Sequence, residues 1–216
     1  MSVAGAALVV LAGLSAPAMA RCVIPSDLAR GIVFLREGTG MGTAMLREGA
    51  VELRYTAGNA EVELTYLADR GVFPRRVVEA YGPGAPVQPG ERDEEIWRFA
   101  SPPPPLVPGV QWTASVAIQS QGTLFGQHDT REQGIATYAV GGPETVEIGG
   151  CRYSVLSVEG RIERGGATRQ ERFAYFPDLG FGLLTGVTDR GTGQGVQFGL
   201  LSLAPMERDM EEEELR

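Results

Sequence analysis

Few residues of this sequence carry the chemistry that catalysis requires. His128 is the single histidine among the 216 residues, and Asp129 follows it, so a base could stand beside the acid that orients it. Acyl transfer also needs a nucleophile and an oxyanion site, and no G-x-S-x-G elbow occurs. A surface turn is the simpler interpretation of the pair. We therefore expect no enzymatic activity, and we keep a hydrolase built on His128 and Asp129 as the alternative.

Cofactor chemistry also lacks its usual residues. The chain has one histidine and two cysteines, fewer ligands than a zinc site needs. All nineteen cationic residues are arginine, which excludes Schiff-base chemistry on lysine. The run Gly38, Gly40 and Gly42 lacks the lysine of a phosphate-binding loop and predicts a hairpin turn instead. We expect neither a metal nor another cofactor.

Aromatic residues on predicted strands are the more informative candidates for a site. A curved sheet lined by such side chains could hold an apolar ligand, although a chain of this size also needs aromatic residues in its core. Both interpretations stay open for the five candidate lining residues, which are Trp97, Trp112, Phe173, Tyr175 and Phe181.

The cysteine pair and the N-terminus predict an exported protein. Residues 1–20 resemble a signal peptide, because an apolar run at 3–14 precedes Ala18 and Ala20, which fit the A-x-A cleavage rule. The run lacks a positively charged start, and a buried N-terminal helix is the alternative. In an exported chain, Cys22 and Cys151 predict a disulfide. The expected location is the periplasm or the extracellular medium.

Charge narrows the possible partners. The formal net charge is −8, which disfavours binding to nucleic acid. Residues 205–216 form an acidic tail, for which we predict a disordered end, with a partner-binding segment as the alternative. No second apolar run of membrane-spanning length follows residue 20, so we expect no stable membrane insertion.

Alternation of apolar and polar residues dominates the rest of the chain. Val51, Leu53 and Tyr55 alternate with polar residues, a period of two that is typical of half-buried antiparallel strands. The Gly-Gly pairs at 149–150 and 165–166 predict two-residue hairpin turns. Around residues 155–158 the apolar register shifts by one, which predicts a β-bulge.

The pattern predicts an all-β fold, an antiparallel meander that forms a partly open barrel or a sandwich. We assign residues 21–204 to a single domain. The proline-rich stretch 82–109, with one strand at 94–99, is predicted to cross between two halves of the sheet. A boundary between two small domains at this stretch is the alternative.

Several short elements in the second half of the chain resemble a known family. They are Pro108-Gly109 before Trp112, then Tyr138 and Val140, the run 144–148, Tyr153, and the aromatic turn 175–180. In this order they resemble uncharacterised periplasmic β proteins of Gram-negative bacteria, similar in fold to the half-barrel of lipoprotein-localisation factors. The resemblance implies a curled sheet and carries no assigned activity.

The sequence thus favours a non-enzymatic periplasmic protein. We expect it to bind an apolar or amphipathic ligand, such as a lipid or a lipoprotein acyl chain, on a concave β surface. An envelope adaptor or assembly factor that acts through protein contacts is the alternative. The sequence does not predict the oligomeric state.

Overall fold

The computed structural model describes residues 21–207, apart from residues 39, 58–61, 86–88 and 125. The predicted signal peptide and nearly all of the acidic tail lie outside the described residues. The described chain contains one helical turn, α1 (Asp27–Arg30), and thirteen strands. The strands in chain order are β1 (Ile32–Arg36), β2 (Gly40–Arg47), β3 (Ala50–Ala57), β4 (Val62–Asp69), β5 (Phe73–Tyr81), β6 (Arg92–Phe99), β7 (Gln111–Gly122), β8 (His128–Ile148), β9 (Cys151–Arg164), β10 (Ala167–Phe176), β11 (Phe181–Asp189), β12 (Gly195–Gln197) and β13 (Leu200–Pro205).

All of these strands belong to one antiparallel sheet. From β1 to β12 each strand pairs with the next in sequence, and β13 pairs with the free side of β1. The sheet curls into an open half-barrel, which confirms the predicted all-β meander in its partly open form. The curl brings β11 close to β1, and the residues between β12 and β13 form hydrogen bonds on both sides. Phe198 N donates to the carbonyl of Thr185 in β11 at 2.8 Å, and Glu37 N donates to the carbonyl of Gly199 at 2.7 Å.

The predicted hairpins are confirmed. Ile148 pairs with Cys151 around Gly149 and Gly150, whose φ angles are 59° and 81°. A two-residue turn with positive φ at both positions matches the twist of the flanking strands, and glycine adopts it without strain. The second Gly-Gly pair, 165–166, joins β9 to β10 in the same way. Of the third predicted turn, Gly38 lies between β1 and β2, whereas Gly40 and Gly42 belong to β2 and lie opposite Arg36 and Phe34.

The predicted bulge is also present. In the β8–β9 pair, Val140 lies opposite Val158, while Pro143 lies opposite Leu156. Two residues of β8 therefore face one residue of β9, and both Val155 and Leu156 are buried. This shift in register explains the doubled apolar position in the sequence.

The proline-rich stretch 82–109 contains β6, which pairs with β5 on one side and with β7 on the other. Its two proline-rich segments therefore join neighbouring strands of the meander. The division of the chain into domains stays a prediction.

Inward-facing side chains form the core. We call the end of the core that contains Phe73, Trp112 and Tyr138 the apolar end, and the turn between β4 and β5 closes it. Gly182 N in β11 donates to the carbonyl of Arg70 at 2.8 Å, so the β4–β5 turn lies directly against β11. A Cβ on Gly71 would stand 2.5 Å from the carbonyl oxygen of Gly182. This contact between distant strands therefore requires glycine at position 71.

The N-terminal segment covers the same apolar end. Cys22 and Cys151 form the predicted disulfide, with their Cα atoms 5.7 Å apart. Val23 is buried, and its N–H donates to the Tyr153 hydroxyl at 3.1 Å. Disulfides persist in oxidising compartments, so the bond indicates a protein that functions outside the cytoplasm. Within the described ranges no helix has the length and hydropathy needed to cross a membrane.

Candidate functional site: a charged cavity on the inner face

A cavity of about 250 Å³ opens on the inner face of the curled sheet. Its walls come from β4, β5, β6, β9, β10 and the end of β11. Its apolar lining side chains are those of Tyr66, Pro74, Val77, Trp97 and Ile162. Its charged lining side chains are those of Glu95, Arg164, Arg169, Glu171 and Asp189. Apolar walls combined with a few polar groups are typical of small-molecule sites.

Strand register places these residues on one face. Tyr66 lies opposite Val77, and Val77 lies opposite Glu95. On the other side of the cavity, Arg169 lies opposite Ile162 in β9. Side chains that are directly opposite in an antiparallel pair point to the same face of the sheet. The two groups are separated by β7 and β8 in the strand order, so only the curl of the sheet brings them together.

The ion pair between Glu95 and Arg164 crosses this gap. Arg164 Nη1 donates to Glu95 Oε1 at 2.6 Å, from β9 to β6. Gly134 of β8 lies opposite Arg164 in register and has no side chain to obstruct the guanidinium. Ser120 of β7 donates to the same carboxylate at 3.3 Å. Small residues on the two intervening strands therefore leave room for the arginine.

Trp97 is held by the same carboxylate. Its indole Nε1 donates to Glu95 Oε2 at 3.1 Å, and the Arg164 guanidinium lies 5.9 Å from its ring centroid, within reach of a cation–π contact. Arg164 Nε also lies 3.8 Å from Glu132 Oε2. These contacts fix the ring as a wall of the cavity.

The second ion pair lies deeper in the cavity. Arg169 Nε is 2.9 Å from Glu171 Oε1, and the two side chains are 46% and 7% exposed. Burial raises the pKa of Glu171, although Arg169 partly opposes this. For Arg169, burial works against the charge, but Glu171 and Tyr66 outweigh it, so the pKa of Arg169 is raised. The deepest charged group is thus an acid whose partner reaches solvent.

A much smaller cavity, of about 10 Å³, adjoins the first one. Tyr66 and Glu171 line both, and Tyr55 and Phe173 line the smaller one. Its volume is close to that of a single water site. The Tyr55 hydroxyl is buried and has no hydrogen-bond partner among the described residues. Burial raises its pKa well above the ordinary value for tyrosine, so this hydroxyl stays neutral.

The five aromatic candidates lie in three different places. Trp97 lines the main cavity and Phe173 lines the small one. Trp112 packs against Phe99, with ring centroids 5.3 Å apart, at the apolar end. Tyr175 and Phe181 are buried core residues, 8% and 0% exposed. The structure therefore places two of the five at a cavity, and their role in binding a ligand stays a prediction.

His128 lies apart from this cavity, and its partner differs from the one suggested by the sequence. Its Nε2 is 3.4 Å from Asp93 Oδ2, and Asp93 also accepts the backbone N–H of Leu124 at 3.0 Å. Asp129 is the next residue of β8 and points to the opposite face of the sheet. In the part of the chain that the structure describes, no three His, Cys, Asp or Glu side chains cluster in a way that could hold a metal ion.

Sequence reasoning missed the charged residues of the cavity, although the sequence contains a signal for them. Arg169 and Glu171 share the alternating face of Phe173 and Tyr175. Glu95 likewise shares the face of Trp97. Charged residues in phase with aromatic ones on a strand predict polar groups on the inner face, because successive side chains alternate between faces.

No protein-family model, curated protein or solved structure matches this chain. Its class therefore rests on the fold and the cavity. Together they define an all-β half-barrel with an amphipathic cavity inside the curl.

Proposed function

We propose that this chain is a non-enzymatic binding protein of the cell envelope, periplasmic or secreted, which holds an amphipathic ligand in the inner-face cavity. The observation that carries the proposal is that aromatic and aliphatic side chains line the same cavity as two ion pairs. An apolar ligand body would bury area against the wall, while the charged side would orient a polar group.

The size of the cavity narrows the ligand. Its volume of about 250 Å³ is near the lower end of the roughly 300–1,000 Å³ usual for small-molecule sites. One alkyl chain or aryl group suits this volume better than a diacyl lipid does. The inward-facing residues beyond the cavity, Tyr55 and Phe173, are buried and leave only the small cavity of about 10 Å³ between them and the main one. Among the amphipathic ligands expected from the sequence, one with a single alkyl chain or aryl group is therefore favoured.

The location follows from separate features. The disulfide supports an oxidising compartment, and the sequence of residues 1–20 favours export.

A neutral fluorescent probe tests the proposal. N-phenyl-1-naphthylamine should bind the mature protein saturably, with increased fluorescence. Ala167 lines the cavity and is exposed, so Ala167→Trp should fill the cavity and weaken binding by about tenfold or more, a loss of about 1.4 kcal/mol.

The matched control is Ala117→Trp in β7. Ala117 points outward, between the buried Val116 and Ile118, so this variant should bind the probe as the wild type does. Native mass spectrometry of the purified protein should also show a bound small amphiphile. Absence of saturable binding, or equal weakening by both variants, would contradict the proposal.

An adaptor that acts through protein contacts is the second candidate, and an exposed apolar group on the outer face favours it. Leu35 is 39% exposed and lies opposite Met41, which is 57% exposed. Leu201 of the adjoining β13 is 50% exposed. Crosslinking in the envelope should lose its partner with Leu35→Glu if this surface binds one. Deletion of residues 208–216 tests the tail separately, and unchanged partners would exclude it.

A further inference from the structure

We infer that the polar group of the ligand is a cation, a protonated amine or guanidinium on an apolar or aryl body, whose charge lies against Glu171. The inference rests on the proposed function, because it names the ligand class of the same cavity.

The charged side chains of the cavity differ in how deeply they are buried. The Glu171 side chain is 7% exposed, whereas that of Arg169 is 46% exposed and that of Arg164 is 35% exposed. A long arginine side chain that already reaches water can rotate outward and remain hydrated. A buried carboxylate cannot follow it. A ligand that displaces Arg169 therefore meets a fixed negative charge, and a buried carboxylate requires a new cationic partner.

The net charge of the cavity lining also favours a cationic ligand. Three acids line the cavity against two arginines, so the ionised site has an excess of one negative charge. Both arginines are already paired: Arg169 with Glu171, and Arg164 with Glu95. Glu132 approaches Arg164 from a third direction, with 3.8 Å between the Glu132 Oε2 and Arg164 Nε atoms. An anionic ligand would have to break one of these pairs and would then lie among carboxylates.

The wall of the cavity also suits a cation. Tyr66 and Trp97 present aromatic rings beside Glu171 and Glu95, and aromatic faces attract organic cations. Tyr55 lines the adjoining small cavity that Glu171 also lines.

Among the residues that the structure describes, Arg36 is the buried cation of the inner face that could have favoured an anion instead, and its position excludes this. Its guanidinium packs between the rings of Tyr55 and Phe198, at 4.1 and 4.4 Å from their centroids. It donates to the carbonyl of Leu184 at 3.2 Å and does not line the main cavity. Its charge is therefore screened from a ligand by the Tyr55 ring.

Three probes that share one aryl body test the inference. They are 2-naphthylmethylammonium, the neutral 2-naphthalenemethanol and the anion 2-naphthoate, each titrated calorimetrically into the full mature protein at neutral pH. The ammonium should bind about tenfold tighter than the alcohol, as expected for one favourable charge contact in a desolvated site. The carboxylate should bind more weakly than the alcohol.

Two variants test whether Glu171 causes the preference for the ammonium probe. Glu171→Gln should remove the advantage of the ammonium over the alcohol. Glu163→Gln is the matched control, because Glu163 pairs with Arg161 and is 44% exposed. It should preserve all three affinities.

A second variant has the opposite expected sign and does not depend on the folding of Glu171→Gln. Arg169→Gln removes the internal cation that competes for Glu171, so it should tighten ammonium binding. Equal affinity for the ammonium and the alcohol, or a preference that persists in Glu171→Gln, would overturn the inference while the proposed function stands. If none of the three probes binds, both the inference and the proposed function are wrong.

Discussion

The two ends of the inner face differ in how their side chains are packed: the apolar end is filled by aromatic rings, and the charged end holds ion pairs around a cavity. At the apolar end, Phe73 packs edge-to-face against Tyr138 and Trp112, with ring centroids 4.8 and 5.5 Å apart. Such pairs add to the free energy gained by burial alone. At the charged end, Glu95 and Glu171 are satisfied by arginines that partly reach solvent, and a cavity remains between them.

This difference indicates that the residues that stabilise the fold and the residues that can bind a ligand lie at different ends of the same strands. The apolar end is closed by the β4–β5 turn and by the disulfide-linked N-terminus, so its side chains contribute to stability. The charged end contributes polar groups and empty volume, which add little to stability. Substitutions at the first end should therefore change the free energy of unfolding, and those at the second end should change binding.

The largest expected effect comes from emptying the apolar end. Phe73 is completely buried, so Phe73→Ala should lower the free energy of unfolding by about 3–5 kcal/mol through lost contacts and the remaining cavity. Urea denaturation followed by circular dichroism measures the loss. Trp97→Ala, at the partly open cavity, is the comparison and should cost less than half as much. Equal losses would show that the two ends do not differ.

Removing the disulfide should have the next largest effect. Cys22→Ser frees the N-terminal segment from β9, and the expected cost is about 2–5 kcal/mol. A lower melting temperature should accompany unchanged probe binding at temperatures where the variant is folded. In the wild type, Ellman titration of the denatured, unreduced protein should find no free thiol. Two free thiols would contradict the structure.

A smaller effect is expected for the ion pairs of the N-terminal segment. Asp27 is buried, and hydrogen bonds from Arg21 and from the backbone of Ile24 lower its pKa from 3.8 to about 2. Asp27→Asn should cost about 1–2 kcal/mol at neutral pH, because the arginines released are half exposed. The folded pKa lies below the unfolded one, so this contribution is complete above pH 3.8 and is lost as pH falls towards about 2.

Denaturation of the wild type and Asp27→Asn over a series of pH values checks this. Their free energies of unfolding should differ at neutral pH and converge in acid. A difference that persists at the acid end would assign the effect to packing instead of charge.

The smallest expected effect on stability is at Glu171. Glu171→Gln should change the free energy of unfolding by less than about 1 kcal/mol, because it removes an ion pair together with the cost of burying its charge. Burial raises the pKa of Glu171 above 4.5 in the folded protein. The wild type should therefore lose stability relative to the variant as pH rises above 4.5. A loss of several kcal/mol in Glu171→Gln at neutral pH would show that the charged end also supports the fold.

Local features of the fold were predictable from the sequence. Gly149 and Gly150 stand between two alternating runs, and glycine pairs fit tight hairpins for conformational reasons. The disulfide followed from a cysteine pair in a chain whose first twenty residues resemble an export signal. These inferences need only neighbouring residues or the count of one residue type.

The cavity could not be predicted in this way. Glu95 and Arg164 are 69 residues apart, and their contact depends on how far the sheet curls across β7 and β8. Alternation shows which side chains share a face, but it does not give the curvature that brings two distant strands together. The same limit applies to His128, whose partner Asp93 comes from another strand and not from the adjacent Asp129.

Methyl NMR during titration with N-phenyl-1-naphthylamine is the most direct test of whether the ligand binds in the inner-face cavity. The aromatic probe shifts the resonances of methyl groups that it contacts. Val77 and Ile162 line the cavity, whereas Leu35 and Leu201 are exposed on the outer face. If the cavity binds the probe, the Val77 and Ile162 methyl resonances should shift saturably, with no change at Leu35 and Leu201. Shifts confined to Leu35 and Leu201 would contradict binding in the cavity and would place the binding surface on the outside of the sheet.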